Sequence, residues 1–251
     1  MGMPILLDEL SLFFPCHNEE ENLLPLVDEA LASLPTLAAR FEVIIVDDGS
    51  TDGTAAVAAE LVAAHPGVVR LVRHRVNRGY GGALRSGFAA ATMRHVAFTD
   101  GDRQFRVADL ASLTLVSQER NAPVTIGYRL HRADPLLRKA YAGIYRLANR
   151  FWFSLNVRDV DCAMKLFERR VLANISVASN GAFFSAELLI KLRAAGVLVE
   201  EVGVPHYPRT AGLASGARVN VVFSAVRDFW SLRFALWRHR SAALRRGEPL
   251  L

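Results

Sequence analysis

Short apolar runs alternate along the chain with longer segments in which apolar residues recur at helical spacing. The runs of strand length lie at residues 11–15, 41–46, 68–72, 96–99, 124–127, 164–167 and 197–204. Helix-like segments separate the first five runs, at residues 19–34, 52–64, 81–93 and 107–119. The continuous β-branched run at residues 43–46 is typical of a strand that is buried on both faces of a sheet. The pattern predicts an α/β fold with a doubly wound, mostly parallel sheet flanked by helices.

Polar residues follow directly after each of the first four predicted strands. The four loops read PCHNE from residue 15, DDGS from residue 47, NRGYGG from residue 77 and DGDRQ from residue 100. Ligands of doubly wound sheets bind at the carboxyl ends of the strands, so we expect these loops to converge on one site. Helix capping by Ser50 or Asp52 and glycine turns would explain single loops, but not all four in this order.

The fourth loop is the strongest candidate for a metal site. Asp100 and Asp102 flank a glycine directly after an apolar strand, and Gln104 adds a neutral oxygen two positions later. These oxygen ligands suit Mg²⁺ or Mn²⁺ with a diphosphate, although the D-x-D pattern alone could be a solvated turn. Asp47 and Asp48 follow a neighbouring strand and can hold a ribose hydroxyl and a base edge. A P-loop and a strand-associated G-x-G-x-x-G are both missing from the sequence, which disfavours P-loop NTPases and dinucleotide oxidoreductases.

The ordered motifs FFPCHNEEENL, IIVDDGSTDGT, NRGYGGALRSGF and FTDGDRQF resemble those of family 2 glycosyltransferases, which have the GT-A fold. Three further motifs are similar to those of the polyprenyl-phosphate (dolichol-phosphate) mannose and glucose synthases in that family: GYR from residue 127, DVDCAMKLFERR from residue 159 and VPHYPRTAGLASG from residue 204. The resemblance covers residues 11–218. It is specific for the family, less so for the subgroup, and carries little information on the sugar.

The resemblance implies a role for one or more residues of each motif. Around the nucleotide it places Pro15, His17, Glu19, Asp47, Asp48 and Asp100. At the metal and diphosphate site it places Asp100, Asp102 and Gln104. Against an acceptor phosphate it places Arg129, Arg138 and, displaced from a family lysine, Arg218. Arg209 would face the donor diphosphate or the acceptor phosphate. The chain departs from many relatives at Tyr80, where they carry lysine or leucine, and at Ala142, where they carry a hydroxyl residue.

The chemistry of an inverting hexose transfer from a UDP- or GDP-sugar suggests which residues are catalytic. A metal held by Asp102, together with Arg209, would stabilise the negative charge of the leaving diphosphate. A polyprenyl phosphate is already ionised and attacks without a general base, whereas a hydroxyl acceptor needs one. Asp161 and Glu187, the latter predicted to begin a helix, are the candidate bases. Alternatively, they form helix caps or ion pairs with Lys165 or Arg193.

The basic charge of the chain is concentrated at its C-terminal end. From Arg218 onward there are seven arginines against two acidic residues, which accounts for the whole formal charge of +5. We therefore divide the chain into a neutral GT-A catalytic domain at residues 1–217 and a basic amphipathic tail at residues 218–251. The neutral body disfavours a nucleic-acid binder. Helical spacing at residues 219–238 predicts one apolar face, which either packs on the domain or lies on an anionic membrane surface; it comprises Val222, Val226, Phe229, Trp230, Leu236 and Trp237.

The remaining features concern location and the alternative functions. Two cysteines indicate a reducing compartment, and the first ten residues, with Asp8 and Glu9, do not resemble a signal peptide. The chain lacks the roughly 18 to 20 consecutive apolar residues of a membrane span. We expect a cytoplasmic protein, peripheral at the inner face of the cell membrane. The alternatives are a glycosyltransferase acting on a soluble hydroxyl acceptor such as a natural product, and a non-catalytic nucleotide-sugar or lipid-binding module.

Overall fold

The computed structural model describes residues 7–130, 136–209 and 219–246, with side chains omitted at 136–142, 219–222 and 239–246. The strands are β1 (Leu7–Cys16), β2 (Ala38–Asp47), β3 (Val69–Arg73), β4 (His95–Phe98), β5 (Val124–Arg129), β6 (Lys165–Glu168) and β7 (Val199–Val204). The helices are α1 (Glu20–Leu37), α2 (Thr54–Ala64), α3 (Tyr80–Ala90), α4 (Leu110–Glu119), α5 (Leu136–Phe153), α6 (Arg169–Leu172), α7 (Phe184–Ala194) and α8 (Val219–Arg246). A 3₁₀ turn at Val107–Asp109 precedes α4.

The strands form one seven-stranded sheet in the order β3-β2-β1-β4-β6-β5-β7. All neighbouring pairs are parallel except those made by β6, which runs antiparallel to β4 and to β5. Lys165, the first residue of β6, pairs with Phe98 at the end of β4. The segment that leads into β6 therefore reaches the same edge of the sheet as the carboxyl ends of the parallel strands. The predicted mostly parallel α/β sheet is confirmed.

An aromatic cluster holds α3 and α7 against the centre of the sheet. Phe13 of β1 and Phe98 of β4 stack with ring centres 5.3 Å apart, and Phe88 of α3 lies 5.0 Å from Phe13. Phe88 also contacts Phe184 of α7 at 6.4 Å. A Cβ at Gly87 would lie 2.2 Å from the Phe13 ring, so only glycine lets α3 approach the sheet this closely. This packing fixes the last turn of α3, whose first residues carry part of the site.

Helix α8 packs on the domain through one side and presents an aromatic surface on the other. Phe229 is 7% exposed, with ring centres 4.9 Å from Phe153 and 5.8 Å from Phe183, and Leu232 is equally buried. Trp230 is 39% exposed. The prediction that Phe229 and Trp230 share one apolar face is therefore wrong, because α8 has two apolar sides, one packed on the domain and one exposed.

A set of exposed apolar side chains, the apolar stripe, lies on α5 and α8. Trp152 and Trp230 join the two helices with their ring centres 5.3 Å apart. Within the described part of the chain, no helix is both long and apolar enough to cross a bilayer. The members of the stripe are Ile144, Leu147, Phe151, Trp152, Phe223, Val226, Trp230, Phe234 and Trp237.

Candidate active site

The loops after β1 and β2 are joined by hydrogen bonds. His17 Nδ1 lies 3.1 Å from the carbonyl oxygen of Asp48. The backbone N–H of Asn18 donates to Ser50 Oγ over 3.0 Å, and that of Glu19 donates to the hydroxyl of Thr54 over 2.8 Å. Because β1 and β2 are adjacent and parallel, these contacts bring the first two predicted loops onto one edge of the sheet.

The two carboxylates at the end of β2 are each oriented by hydrogen bonds. Asp48 Oδ1 accepts hydrogen bonds from His74 Nδ1 over 2.6 Å and from the backbone N–H of Arg78 over 2.8 Å. His74 Nε2 lies 2.8 Å from Ser86 Oγ, so the buried imidazole is held at both nitrogens. Asp47 Oδ1 accepts from a backbone N–H of its own loop. His74 was not among the predicted site residues, and the only signal for it in the sequence is its place directly after β3.

The third and fourth loops meet at the D-x-D motif. The hydroxyl of Tyr80 donates to Asp100 Oδ1 over 2.9 Å. Asp102 Oδ1 accepts from the backbone N–H of Gln104 over 3.1 Å. A Cβ at Gly101 would lie 3.0 Å from the Sγ of Cys16, so the small residue between the carboxylates lets this turn pack against β1. Burial, and then the negative charge of Asp102, raise the pKa of Asp100 to about 7.

Arg209 extends from the end of β7 to the same motif. Its Nη2 lies 2.6 Å from Asp102 Oδ2, and its Nη1 lies 3.9 Å from Glu19 Oε1. The backbone N–H of Tyr207 donates to the carbonyl of Gln104 over 2.9 Å, which fixes the strand extension that carries the guanidinium. The structure thus brings together Arg209, Glu19, which was predicted to lie near the nucleotide, and Asp102, which was predicted to bind the metal.

The chemistry of the D-x-D loop fits a hard divalent cation. Two carboxylates lie close enough for one to raise the pKa of the other, and Asp102 already draws a guanidinium to itself. A cation relieves such repulsion, and oxygen ligands of this type suit Mg²⁺ or Mn²⁺. Among the described residues, no group of three or more His, Cys, Asp or Glu side chains forms a metal cluster. Asp100 and Asp102 would therefore supply only part of the coordination, with the rest left to Gln104, a substrate or water.

The segment before β6 is anchored by a buried lysine. Lys165 Nζ donates to the carbonyl of Val160 over 3.1 Å and to that of Cys162, and it lies 5.5 Å from the ring centre of Phe98. Burial lowers the pKa of Lys165. Asp161 lies on this segment with an exposed side chain, and its charge contributes, after burial and Asp100, to the raised pKa of Tyr80. Asp161 is therefore within electrostatic range of Tyr80.

The predicted acceptor arginines are only partly described. Arg129, at the end of β5, forms a bidentate pair with Asp159, at 2.6 Å from Nε and 2.8 Å from Nη2. The side chain of Arg138 and the whole of Arg218 lie outside the described residues. Because Asp159 belongs to the segment before β6, its pair with Arg129 ties the end of β5 to that segment.

Glu187 lies in the first turn of α7, which begins at Phe184, so the prediction that the helix begins at Glu187 is wrong. Its ionic partner is Lys191, 2.6 Å away and one turn further on, whereas the sequence had suggested Lys165 or Arg193. A spacing of four residues brings side chains onto the same face of a helix, which explains the pairing.

The carboxylate of Glu187 is 2% exposed and accepts hydrogen bonds from a neighbouring loop. The backbone N–H groups of Ala178 and Ser179 donate to it over 3.0 and 2.9 Å, and Ser179 Oγ over 2.6 Å. Burial raises the pKa of Glu187, but these bonds and the Lys191 ammonium outweigh it and lower the pKa overall. The Glu187 carboxylate therefore holds the loop at residues 178–179 in place.

Comparisons with known proteins identify the family of the chain. The family model for glycosyl transferase family 2 matches residues 11–176. The dodecaprenyl-phosphate galacturonate synthase of Rhizobium johnstonii is 29% identical over 231 residues, which cover 90% of this chain and 67% of that protein. The polyprenol monophosphomannose synthase of Mycolicibacterium smegmatis is 28% identical over 242 residues, 91% of this chain and 89% of that protein.

Solved structures show the same architecture. Glucosyl-3-phosphoglycerate synthase from Mycobacterium tuberculosis, in complex with Mn²⁺ and UDP-glucose, superposes with a TM-score of 0.68 at 17% identity, covering 88% of this chain and 79% of that one. At this identity the likeness concerns the fold. Because the family model spans β1 to β6 with all four strand-end loops, the chain belongs to glycosyl transferase family 2 and is a glycosyltransferase with the GT-A fold.

Proposed function

We propose that this protein transfers a hexose, with inversion, from a nucleotide diphosphate sugar to a polyprenyl phosphate at a membrane surface. The observation that carries the proposal is the Asp102–Arg209 pair beside Asp100. The pair lies at the edge of the sheet where the strand-end loops meet, so it would supply carboxylates for a metal and a guanidinium for phosphate. The names of two similar proteins contain a phosphorylated polyprenol, dodecaprenyl phosphate in one and a polyprenol monophosphate in the other.

The donor would lie along the loops in a fixed order. Pro15, His17 and the Asp47–Asp48 loop would surround the base and ribose, with Asp48 oriented by its two hydrogen bonds. Asp100 and Asp102 would hold Mg²⁺ or Mn²⁺, which when bound stabilises the negative charge of the leaving diphosphate. Arg209 would exchange its bond to Asp102 for bonds to phosphate oxygens, adding a planar donor where charge develops.

The acceptor would approach from the β5 and β6 side of the sheet. Arg129 would contribute positive charge there, together with Arg138 and Arg218 as the resemblance implies. An ionised phosphate attacks the anomeric carbon without losing a proton, and the leaving group is the nucleoside diphosphate. The fully engaged carboxylate of Glu187 supports a reaction that does not use it as a base.

A soluble hydroxyl acceptor is a second candidate. The exposed side chain of Asp161 near Tyr80 favours it, because a solvent-accessible carboxylate beside the donor site can take up a proton. The two candidate reactions differ in whether they require Asp161, because only transfer to a hydroxyl needs this residue as a base.

Membrane attachment at the inner face of the cell membrane completes the proposal. The sequences of α5 and α8 contain ten arginines and lysines against one acidic residue, Asp228. Exposed aromatic residues beside exposed arginines, such as Phe151 beside Arg150 and Trp237 beside Arg238, match the layers of a bilayer interface with anionic headgroups. The basic tail at residues 218–251 would thus both pack on the catalytic domain and contact lipid.

The experiment is a transfer assay with purified full-length protein, Mn²⁺, a panel of UDP- and GDP-sugars, and polyprenyl phosphate in detergent. We expect a glycosylated polyprenyl phosphate that is lost on chelation with EDTA and in Asp102→Ala, and retained in Asp161→Asn. Failure to label polyprenyl phosphate with any donor would overturn the acceptor assignment. Nucleotide binding without turnover on any acceptor would favour a non-catalytic module.

A further inference from the structure

A short segment between α6 and α7, residues 177–180, lies in backbone contact with the glycine-rich loop at the start of α3. The N–H of Gly81 donates to the carbonyl of Asn180 over 2.9 Å. A Cβ at Gly79 would lie 2.6 Å from that carbonyl oxygen, and one at Gly81 would lie 2.5 Å from the carbonyl oxygen of Ser179. Gly79 also has a φ of +80°, which favours glycine. The two backbones are therefore in direct contact, with no room for a side chain between them.

Two charged side chains hold this segment from different directions. The guanidinium of Arg85, on α3, donates from Nη1 to the carbonyls of Val177 and Ser179 over 3.2 and 2.7 Å, and from Nη2 to the side chain of Asn180. Glu187, on α7, accepts from the N–H groups of Ala178 and Ser179. One residue thus binds the carbonyls of the segment and the other its amides, through charge-assisted bonds.

The contact between the segment and α3 reaches the donor site through one residue. Tyr80 lies between the two glycines that touch the segment, and its hydroxyl donates to Asp100 Oδ1 over 2.9 Å. The backbone position of Tyr80 is therefore set by residues 177–180, and the hydroxyl of Tyr80 in turn restrains the Asp100 carboxylate.

We propose that Glu187 and Arg85 are positioning residues for donor binding: they fix residues 177–180, which fix the start of α3 and so hold the Tyr80 hydroxyl on Asp100. The proposal rests on the donor site proposed above. In this proposal Glu187 acts on the donor site indirectly, by positioning Tyr80 and through it Asp100, and it is no longer a candidate base.

The test measures binding of UDP or GDP with Mn²⁺ by calorimetry, so it requires no acceptor and no turnover. We expect Tyr80→Phe to weaken binding about fivefold, in line with the loss of a hydrogen bond to a charged group, and Glu187→Gln and Arg85→Lys each about threefold, because they act through the Tyr80 hydroxyl. Glu119→Gln and Arg193→Lys, exposed matched controls, should bind like wild type. If wild type binds neither nucleotide, the proposed function fails. If it binds and Glu187→Gln binds equally well, only the positioning role fails.

A double variant separates positioning from general loss of structure. If Glu187 acts through Tyr80, Glu187→Gln combined with Tyr80→Phe should bind only about twofold more weakly than Glu187→Gln alone. Independent effects would multiply and would overturn the proposal, as would a fall in thermal stability with unchanged binding. In turnover, Glu187→Gln should keep the pH profile of wild type, whereas loss of a general base would remove one limb of it. Should Glu187→Gln fail to fold, Arg85→Lys with Tyr80→Phe forms the same cycle.

Discussion

The guanidinium of Arg209 lies 2.6 Å from the carboxylate of Asp102, a residue 107 positions earlier in the chain. The pair places a fixed positive charge on a carboxylate that is also a candidate metal ligand. In the proposed function, Arg209 and a divalent cation would therefore compete for Asp102 in the absence of donor, and would cooperate once a diphosphate supplies further oxygens.

Replacing Arg209 with glutamine should separate these two effects. We expect Arg209→Gln to bind Mn²⁺ alone more tightly than wild type, since a cation beside Asp102 is gone, while turnover falls about 10² to 10³-fold through loss of a charge-stabilising donor. Titration of Mn²⁺ followed by the paramagnetic signal of the free ion measures the first effect, and steady-state kinetics the second. Arg94→Gln, an exposed arginine paired with Asp8, is the control. Unchanged or weaker Mn²⁺ binding by Arg209→Gln would contradict the competition.

Loss of His74 should weaken the nucleotide half of the site. In His74→Phe the hydrogen bonds to Asp48 and to Ser86 are lost, so we expect lower thermal stability and about tenfold weaker binding of the preferred nucleoside diphosphate. The amide of His74→Asn can take the place of Nδ1 and should restore part of the binding. Equal nucleotide affinity in wild type and His74→Phe would show that the hydrogen bond from His74 to Asp48 does not contribute to nucleotide binding.

Polar substitution of the apolar stripe should reduce lipid binding. We expect Phe223→Ser with Trp237→Ser to lower flotation with vesicles that contain anionic lipid, because both side chains are exposed and contribute apolar area for the interface. The matched control is Leu24→Ser with Leu115→Ser, which removes exposed apolar residues on α1 and α4. Unaltered flotation, with a change from dimer to monomer in light scattering, would identify the stripe as a contact between copies of the chain.

His95 should make the fold sensitive to mild acid. Burial lowers its pKa, so the folded protein keeps the imidazole neutral at pH values where the unfolded chain is already protonated. Stability from this residue is full above the unfolded pKa, near 6.5, and decreases as the pH falls below it. In His95→Asn, whose amide can still donate to the carbonyl of Glu9, the free energy of unfolding should change less between pH 7 and pH 5 than in wild type. Urea titrations at both pH values measure the free energy of unfolding. An equal change in that free energy between pH 7 and pH 5 in both proteins would contradict the prediction.

Local patterns in the sequence were sufficient for much of the fold. Continuous β-branched runs such as that of β2 and polar loops at strand ends follow from burial and from the geometry of parallel sheets, so they are visible within ten residues of chain. The direction of β6 was not visible, because a four-residue apolar run looks the same in either orientation. Helix α5 was missed because its apolar residues, among them Ile144 and Phe151, face outward and alternate with arginines.

Long-range contacts of the site could not be read from the sequence. Arg85 contacts Val177 and Ser179, which are more than 90 residues away in the chain. Contacts at such separations produce no periodic pattern in the sequence. Glu187 illustrates the same limit. Its residue type and place near a helix start suit a base equally well, and only its burial and its partners show that it holds a loop.

The number of residues between Arg209 and the start of α8 limits how far the chemistry can lie from a lipid surface. Ten peptide units separate Arg209 from Val219, and a fully extended chain of that length spans at most about 35 Å. A membrane-bound α8 would therefore keep the reacting phosphate within reach of a lipid that never leaves the bilayer. The acceptor search would then take place in two dimensions, and turnover would depend on the surface density of the acceptor instead of its bulk concentration.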